Sequence, residues 1–234
     1  MQLSIIIPAY NEARTILEII RRVEHVLLPG VRKEIIIVDD GSTDKTRELL
    51  QGLGRHTVLF HGRNQGKGAA VQTGMRHAHG DILLVQDADL EYDPREYPAL
   101  LQPLIAGQAD VVYGSRFLNL EFKLFSRDRT IMPLHYLGNR FLTGLTNLLY
   151  GAAISDMETG YKAFTRKAAQ SLRLRSKRFE FEVELTAKLL KGGWRIAEVP
   201  IRFHHPRTFQ EGKKITVWDG VLAAFALVKY RLGD

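Results

Sequence analysis

Glu34-Ile-Ile-Ile-Val-Asp-Asp-Gly-Ser-Thr-Asp44 joins four consecutive β-branched residues to a pair of carboxylates and a turn. The apolar run has no polar alternation, so it reads as a strand buried on both faces, the kind found inside parallel sheets. Gly41-Ser42 breaks it, and a helix is expected from Thr43 through Leu50.

The same figure recurs on either side. Upstream, Leu3 to Pro8 carries Ser-Ile-Ile-Ile and stops at Tyr10-Asn11-Glu12. A helix is expected from Thr15 to Leu28, with Ile16, Ile19, Ile20, Val23 and Leu27 on one face. Downstream come a short strand at Val58 to Phe60 and a helix from Lys67 to Ala78 opened by glycines. A buried strand at Ile82 to Val85 follows and ends in Asp87-Ala88-Asp89. Tyr97 to Ala106 reads as a helix and Val111 to Tyr113 as a strand. Such alternation predicts an α/β fold with a Rossmann-like, mostly parallel sheet flanked by helices. Ligands of such sheets bind outside the carboxyl ends of the strands, where three polar clusters fall here.

The second half is more helical. Leu134 to Tyr150 carries Leu137, Phe141, Leu145, Leu148 and Leu149. Phe179 to Leu190 is amphipathic, and Val217 to Arg231 closes the chain. Arg195 to Phe203 reads as extended, with Pro200 pointing to a sheet edge. A soft boundary near Ser115 divides a single domain, 1–234, into a nucleotide-binding half (1–115) and an acceptor-binding half (116–234).

Composition narrows the partners. The 234 residues are 45% apolar and 25% charged, an ordinary globular balance. No cysteine is present, which excludes disulfides, thiolate metal sites and cysteine nucleophiles. A net charge of +7 suits anionic ligands. No window reaches the ~20 apolar residues of a membrane-spanning helix, and no leader peptide is visible. The expected location is cytoplasmic, with contact at the membrane surface. Basic helices, interleaved aromatic and basic residues and zinc modules are all lacking, so nucleic acid is not an expected partner.

The polar clusters suggest chemistry. Asp87 and Asp89 offer alternating carboxylates for Mg²⁺ or Mn²⁺, which prefer oxygen ligands and bridge to diphosphates, and Glu91 offers a third oxygen. A solvated acidic turn would look alike, but the position at a third buried strand end favours the metal. Asp39 is placed to accept from a ribose hydroxyl or a base N–H, while Asp40, Ser42 or Asp44 caps the following helix. Gly66-Lys67-Gly68 brings a helix N-terminus toward phosphate, without the spacing of a nucleotide-hydrolysing phosphate loop. Asp156 is a general base if the acceptor is a hydroxyl, and none is needed if the acceptor is a phosphate. Arg116, Arg207 and Lys214 are candidate phosphate clamps. The eight histidines show no metal-ligand spacing.

Taken in order, Ser4-Ile-Ile-Ile-Pro-Ala-Tyr-Asn-Glu12, Ile37-Val-Asp-Asp-Gly-Ser-Thr-Asp44, Asn64-Gln-Gly-Lys-Gly-Ala69 and Gln86-Asp-Ala-Asp89 resemble the family 2 glycosyltransferases. Gly114-Ser-Arg116, Asp156 to Phe164, Phe179 to Glu184 and Glu198 to Ile201 extend the resemblance to the dolichyl-phosphate mannose synthase and polyprenyl-phosphate glycosyltransferase branch, over nearly the whole chain. The resemblance implies a GT-A fold and inverting, metal-dependent transfer of a hexose from a GDP- or UDP-sugar to a polyprenyl phosphate. It matches Asp87, Asp89 and Glu91 to metal positions. Pro8, Tyr10, Glu12, Asp39 and Asp40 match nucleotide-cradling positions, joined by Gly66, Lys67 and Arg116. Arg207 matches a basic residue near phosphates. Lys214 matches a late Gly-x-Ser-Lys lysine, although this chain reads Gly212-Lys-Lys214. Asp89, Asp156, Arg207 and Lys214 form the expected catalytic set. Two other functions fit the same residues: transfer to a sugar hydroxyl, and nucleotide-sugar binding without transfer.

Overall fold

Runs of Ile, Leu and Val have no polar face to offer water, so they settle in the middle of a sheet covered on both sides. In the computed structural model, which describes residues 1–118, 133–178, 180–202 and 217–233, these runs are β1 (Gln2–Ala9), β2 (Arg32–Asp39) and β4 (Ile82–Val85). Ile5, Ile6, Ile7, Ile36, Ile37 and Leu84 are wholly buried. With β3 (Thr57–Phe60), β5 (Val111–Ser115), β6 (Lys162–Thr165) and β7 (Ile196–Pro200) they form one sheet of order β3-β2-β1-β4-β6-β5-β7. β1 pairs in parallel with β2 and β4, β2 with β3, and β5 with β7. β6 runs antiparallel to both its neighbours. The order steps outward from β1 to β3 and then restarts at β4 on the other side of β1. That switch opens a crevice between the carboxyl ends of β1 and β4.

The crossovers are α1 (Ile16–His25), α2 (Thr46–Gln51), α3 (Lys67–His77) and α4 (Tyr97–Ile105). Ile16, Ile19, Ile20 and Val23 are the buried face of α1. Leu27, expected on that face, lies beyond the helix end and is 87% exposed. Val26 is extended there, and the Lys33 ammonium takes up the terminal carbonyls of Val23, Glu24 and Val26, which ends the helix early.

The second half supplies α5 (Pro133–Tyr150), α6 (Arg166–Ser171), α7 (Glu180–Lys191) and α8 (Val217–Leu232). α8 packs against both α5 and α7. β7 lies at the sheet edge, as Pro200 implied. The strand not foreseen is β6. It is four residues long and opens on a lysine, so it lacks the apolar run that marks the other buried strands. It sits between β4 and β5, so the chain before and after Ser115 shares one sheet.

Two helices keep apolar side chains in water. Leu137, Phe141 and Leu148 of α5 are exposed and fall on one stripe. Val221, Leu222, Phe225, Val228 and Leu232 of α8 do the same. Arg140, Lys229 and Arg231 are exposed on these helices. No helix among the described residues is long and apolar enough to cross a membrane.

Candidate active site at the strand ends

β1 leaves the sheet into Tyr10-Asn11-Glu12. Asn11 adopts a left-handed backbone with φ 57°, and its Oδ1 accepts from the Thr43 amide at 2.8 Å. The Asn11 amide donates to Ser42 Oγ at 3.0 Å. These bonds lock the loop after β1 to the loop after β2. The Glu12 amide donates to Thr46 Oγ1 at 2.8 Å, and its carboxylate accepts from Thr15 Oγ1 at 2.9 Å. Pro8 stays in the strand, buried beside Val38.

The two aspartates that end β2 differ. Asp39 is fully buried. Its Oδ1 accepts from the Ser42 amide at 3.3 Å, whereas Oδ2 is buried without a hydrogen-bond partner. The nearest cation, Arg47 Nη1, lies 3.7 Å away, beyond hydrogen-bond reach. Such a buried oxygen is costly unless a donor from outside the protein meets it. Asp40 instead braces the next loop. It accepts from the Gly66 amide at 2.7 Å and the Gln65 amide at 3.0 Å, and its Oδ1 is 2.6 Å from His61 Nδ1. Asp44 caps α2 through the Thr46 amide at 2.9 Å. Gly66 has φ 104°, and a Cβ there would lie 2.3 Å from the Lys177 carbonyl, so only glycine fits.

Lys67 opens α3 and turns into the crevice. Its ammonium lies 2.8 Å from Asp87 Oδ1 and 3.4 Å from Glu182 Oε1. Burial works against its charge, but Asp87 and Glu182 outweigh burial and hold its pKa above the ordinary lysine value. Glu182, from α7, also pairs with the buried ammonium of Lys162. Lys162 further donates to the carbonyls of Met157 and Thr159. Gln86 pins the chain after β4, donating to the carbonyls of Asp87 and Tyr92 and accepting from Tyr97. Leu90 has φ 66°, and the Glu91 amide folds back to Asp89 Oδ1 at 3.1 Å. No group of three His, Asp or Glu side chains able to hold a metal exists among the described residues.

Gly160 closes over this cluster. A Cβ at that position would lie 2.3 Å from Asp87 Oδ2 and 2.9 Å from Lys67 Nζ. Gly160→Ala is therefore expected to push the Lys67–Asp87 pair apart. We expect kcat/KM to fall by about two orders of magnitude, the usual effect of an ångström-scale displacement, with an unchanged circular dichroism spectrum.

On the opposite side, Asp156 is fully buried. Arg116 grips it through Nε and Nη2, each at 2.7 Å, and through its amide at 3.1 Å; Asn139 Nδ2 adds a fourth bond at 3.2 Å. Burial opposes the Arg116 charge, but Asp156 more than offsets it and raises the guanidinium pKa. The Asp156 loop is fixed from β7, where Glu198 accepts from the amides of Ser155 and Asp156. A carboxylate offers about four lone-pair sites, and here all four have donors.

The structure brings Lys67 and Asp87 together against Gly160, pairs Arg116 with Asp156, and joins Asp40 to the amides of Gln65 and Gly66. Arg207 and Lys214 lie outside the described residues. Lys162, Glu182 and Tyr92 were not singled out from the sequence. The first two fall in stretches that carry the family resemblance, but a lone lysine or glutamate shows no sign of burial until the fold pairs them.

Residues 4–173 match the family model described as Glycosyl transferase family 2. A UDP-N-acetylglucosamine–dolichyl-phosphate N-acetylglucosaminyltransferase of Methanococcus voltae is 33% identical over 221 residues, covering 85% of this chain and 84% of that protein. A dolichol-phosphate mannosyltransferase of Pyrococcus furiosus is 30% identical, covering 87% of this chain and 56% of the other. Glycosyltransferase AglJ of Haloferax volcanii is 32% identical over 86% of this chain, which spans 62% of it. Two further Haloferax volcanii glycosyltransferases are spanned over 33% and 48% of their lengths. The structure also superposes on glucosyl-3-phosphoglycerate synthase from Mycobacterium tuberculosis, solved with Mg²⁺ and UDP, with TM-score 0.74 and 22% identity over 100% of this chain and 80% of that one. The fold is therefore GT-A. This chain belongs to glycosyl transferase family 2.

Proposed function

We propose that the chain transfers a hexose, with inversion, from a UDP- or GDP-sugar to the phosphate of a polyprenyl phosphate. The observation that carries this reading is the occupancy of Asp156. With all four of its lone-pair sites bonded, it offers none to the proton of an incoming sugar hydroxyl. A phosphate acceptor requires no base, because its oxygen is already anionic. The names of the Methanococcus voltae and Pyrococcus furiosus relatives support the same acceptor class.

In this reading Asp39 Oδ2 receives a donor from the nucleotide, and the α3 N-terminus with Lys67 faces the diphosphate. Asp87 and Asp89 are hard oxygen donors at the crevice, and they fit Mg²⁺ or Mn²⁺. Such an ion typically takes one or two carboxylates and completes its shell with substrate phosphates and water. Glu91 is proposed to support this pair. The ion would supply charge neutralisation for the departing nucleoside diphosphate. Arg207 and Lys214 are proposed to add cations for the phosphates. Arg116, locked to Asp156, presents a fixed positive edge to the acceptor side.

The exposed stripes of α5 and α8, with Arg140, Lys229 and Arg231, suit contact with an anionic bilayer that holds the lipid acceptor. Phe141→Glu combined with Phe225→Glu is expected to weaken sedimentation with anionic vesicles by more than about tenfold, given two buried aromatic rings. Turnover of a water-soluble, short-chain acceptor should be unchanged.

The deciding experiment incubates the protein with Mn²⁺ or Mg²⁺, a short-chain polyprenyl phosphate and a panel of UDP- and GDP-sugars. Nucleoside diphosphate release and lipid-linked sugar are measured together. Equimolar formation of both from one donor is expected. Sugar transfer to a glycan hydroxyl with none to the lipid would overturn the acceptor, and nucleotide-sugar binding without any transfer would overturn the reaction.

A further inference from the structure

Among the described residues, two buried side-chain oxygens lack a hydrogen-bond partner, Asp39 Oδ2 and Glu158 Oε1. The nucleotide accounts for the first. Nothing in the reaction described above uses the second.

Glu158 stands out against neighbours whose polar groups have partners. The Ser155 and Asp156 amides reach Glu198, and the Met157 amide reaches Thr143 Oγ1. Thr159 Oγ1 donates to the Gly114 carbonyl, and the Gly160 amide donates to Tyr92. The charges of Glu182, Lys162, Arg116 and Asp156 all act on the Glu158 carboxyl, so it lies among the groups that line both parts of the site. Two residues earlier Asp156 is clamped by Arg116, and two residues later Gly160 lies against Asp87 and Lys67. We infer that Glu158 is a donor-recognition residue whose carboxyl group binds a hydroxyl of the transferred sugar. This rests on the transferase reading above and adds to it the residue that senses the sugar.

The chemistry of the ligand follows from the chemistry of the group. A phosphate oxygen carries negative charge and no proton, so the carboxylate form would repel it and only the protonated acid could donate to it. A sugar hydroxyl donates to a carboxylate and accepts from a carboxylic acid, and so serves either form. Both forms matter here, because burial and then Glu182 push this carboxyl up to about 7, against Lys162 and Arg116. The two opposing cations are already engaged, Lys162 with Glu182 and Arg116 with Asp156. A hydroxyl arriving with the donor would satisfy an oxygen that the protein leaves unpaired, and a donor lacking that hydroxyl would leave it unpaired again.

The test compares wild type with Glu158→Ala and Glu158→Gln. Calorimetry with Mn²⁺ measures binding of UDP, GDP and their glucose, N-acetylglucosamine and mannose conjugates. Steady-state rates are measured with the preferred donor and with its singly deoxygenated analogues. For the alanine variant we expect nucleoside diphosphate affinity within about twofold of wild type, and kcat/KM for the preferred donor lower by roughly 10- to 100-fold, the worth of one hydrogen bond to a charged group. Glutamine should recover most of the loss. One deoxygenated donor should be used equally by wild type and the alanine variant. Equal use of every donor by all three proteins would overturn the inference. So would an alanine variant that loses nucleoside diphosphate binding in proportion, since that marks a structural role. A wild-type protein that binds sugar nucleotides but transfers nothing would overturn the reaction, while the calorimetric comparison still judges Glu158. A wild type that binds none of them overturns both.

Discussion

Replacing Asp89 with alanine is expected to lower sugar transfer by about three orders of magnitude, the scale of charge stabilisation worth several kcal/mol to a departing diphosphate. Asp87 is neutralised by Lys67 at 2.8 Å, so Asp89 is the carboxylate of the pair on which cation binding should chiefly depend. Calorimetry supplies a readout independent of turnover. Mn²⁺ should strengthen nucleoside diphosphate binding to wild type and leave binding to the variant almost unchanged. The Asp89 side chain is partly exposed and accepts from the Glu91 amide. Thermal unfolding should therefore move little. Undiminished transfer by the variant would remove Asp89 from the chemistry.

Lys162→Met is expected to destabilise the fold by about 3 kcal/mol, at the lower end for breaking a buried ion pair. Lys162 is 1% exposed and bonds to Glu182 and two carbonyls of the Met157–Thr159 turn. Methionine fills much of the space but satisfies none of them. Lys67, 3.4 Å from Glu182, should soften the loss. The urea midpoint measures the effect. Adding Glu182→Gln should restore part of the stability by removing the unpaired charge, a non-additivity expected of residues in one network. A single variant as stable as wild type would show that the lysine's bonds contribute nothing net.

The parts of this molecule that were legible beforehand share one property: their signal is local. Ile35 to Val38 and Ile82 to Val85 are runs without polar alternation, and the carboxylates that follow mark strand ends directly. Gly66 before Lys67 marks a turn into a helix, and its φ of 104° bears that out. What was not legible depends on partners distant in sequence. β6 is a strand only because β4 and β5 leave a gap for it. Asp40 matched a nucleotide-cradling position through the family resemblance, and its bonds to the Gln65 and Gly66 amides, more than twenty residues away, could not be read from its neighbours. Glu182 sits in a helix whose spacing suggests an outward polar face, yet two lysines from other segments enclose it.

The position of β6 also bears on the order of assembly. β4 pairs through Ile82, Leu83 and Leu84 with Thr165, Phe164 and Ala163, about eighty residues later in the chain. During synthesis β4 can join β1 early, but its other edge stays open until Thr165 has left the ribosome. An apolar strand with unpaired amides and carbonyls is a template for intermolecular pairing. A nascent chain stopped near Ser115 would therefore expose the edge of β4, the strand that delivers the Asp87–Asp89 carboxylates. Residues 1–115 are consequently not a detachable module. Exchanging the chain after Ser115 between relatives would have to carry a β6 that completes the sheet of the recipient.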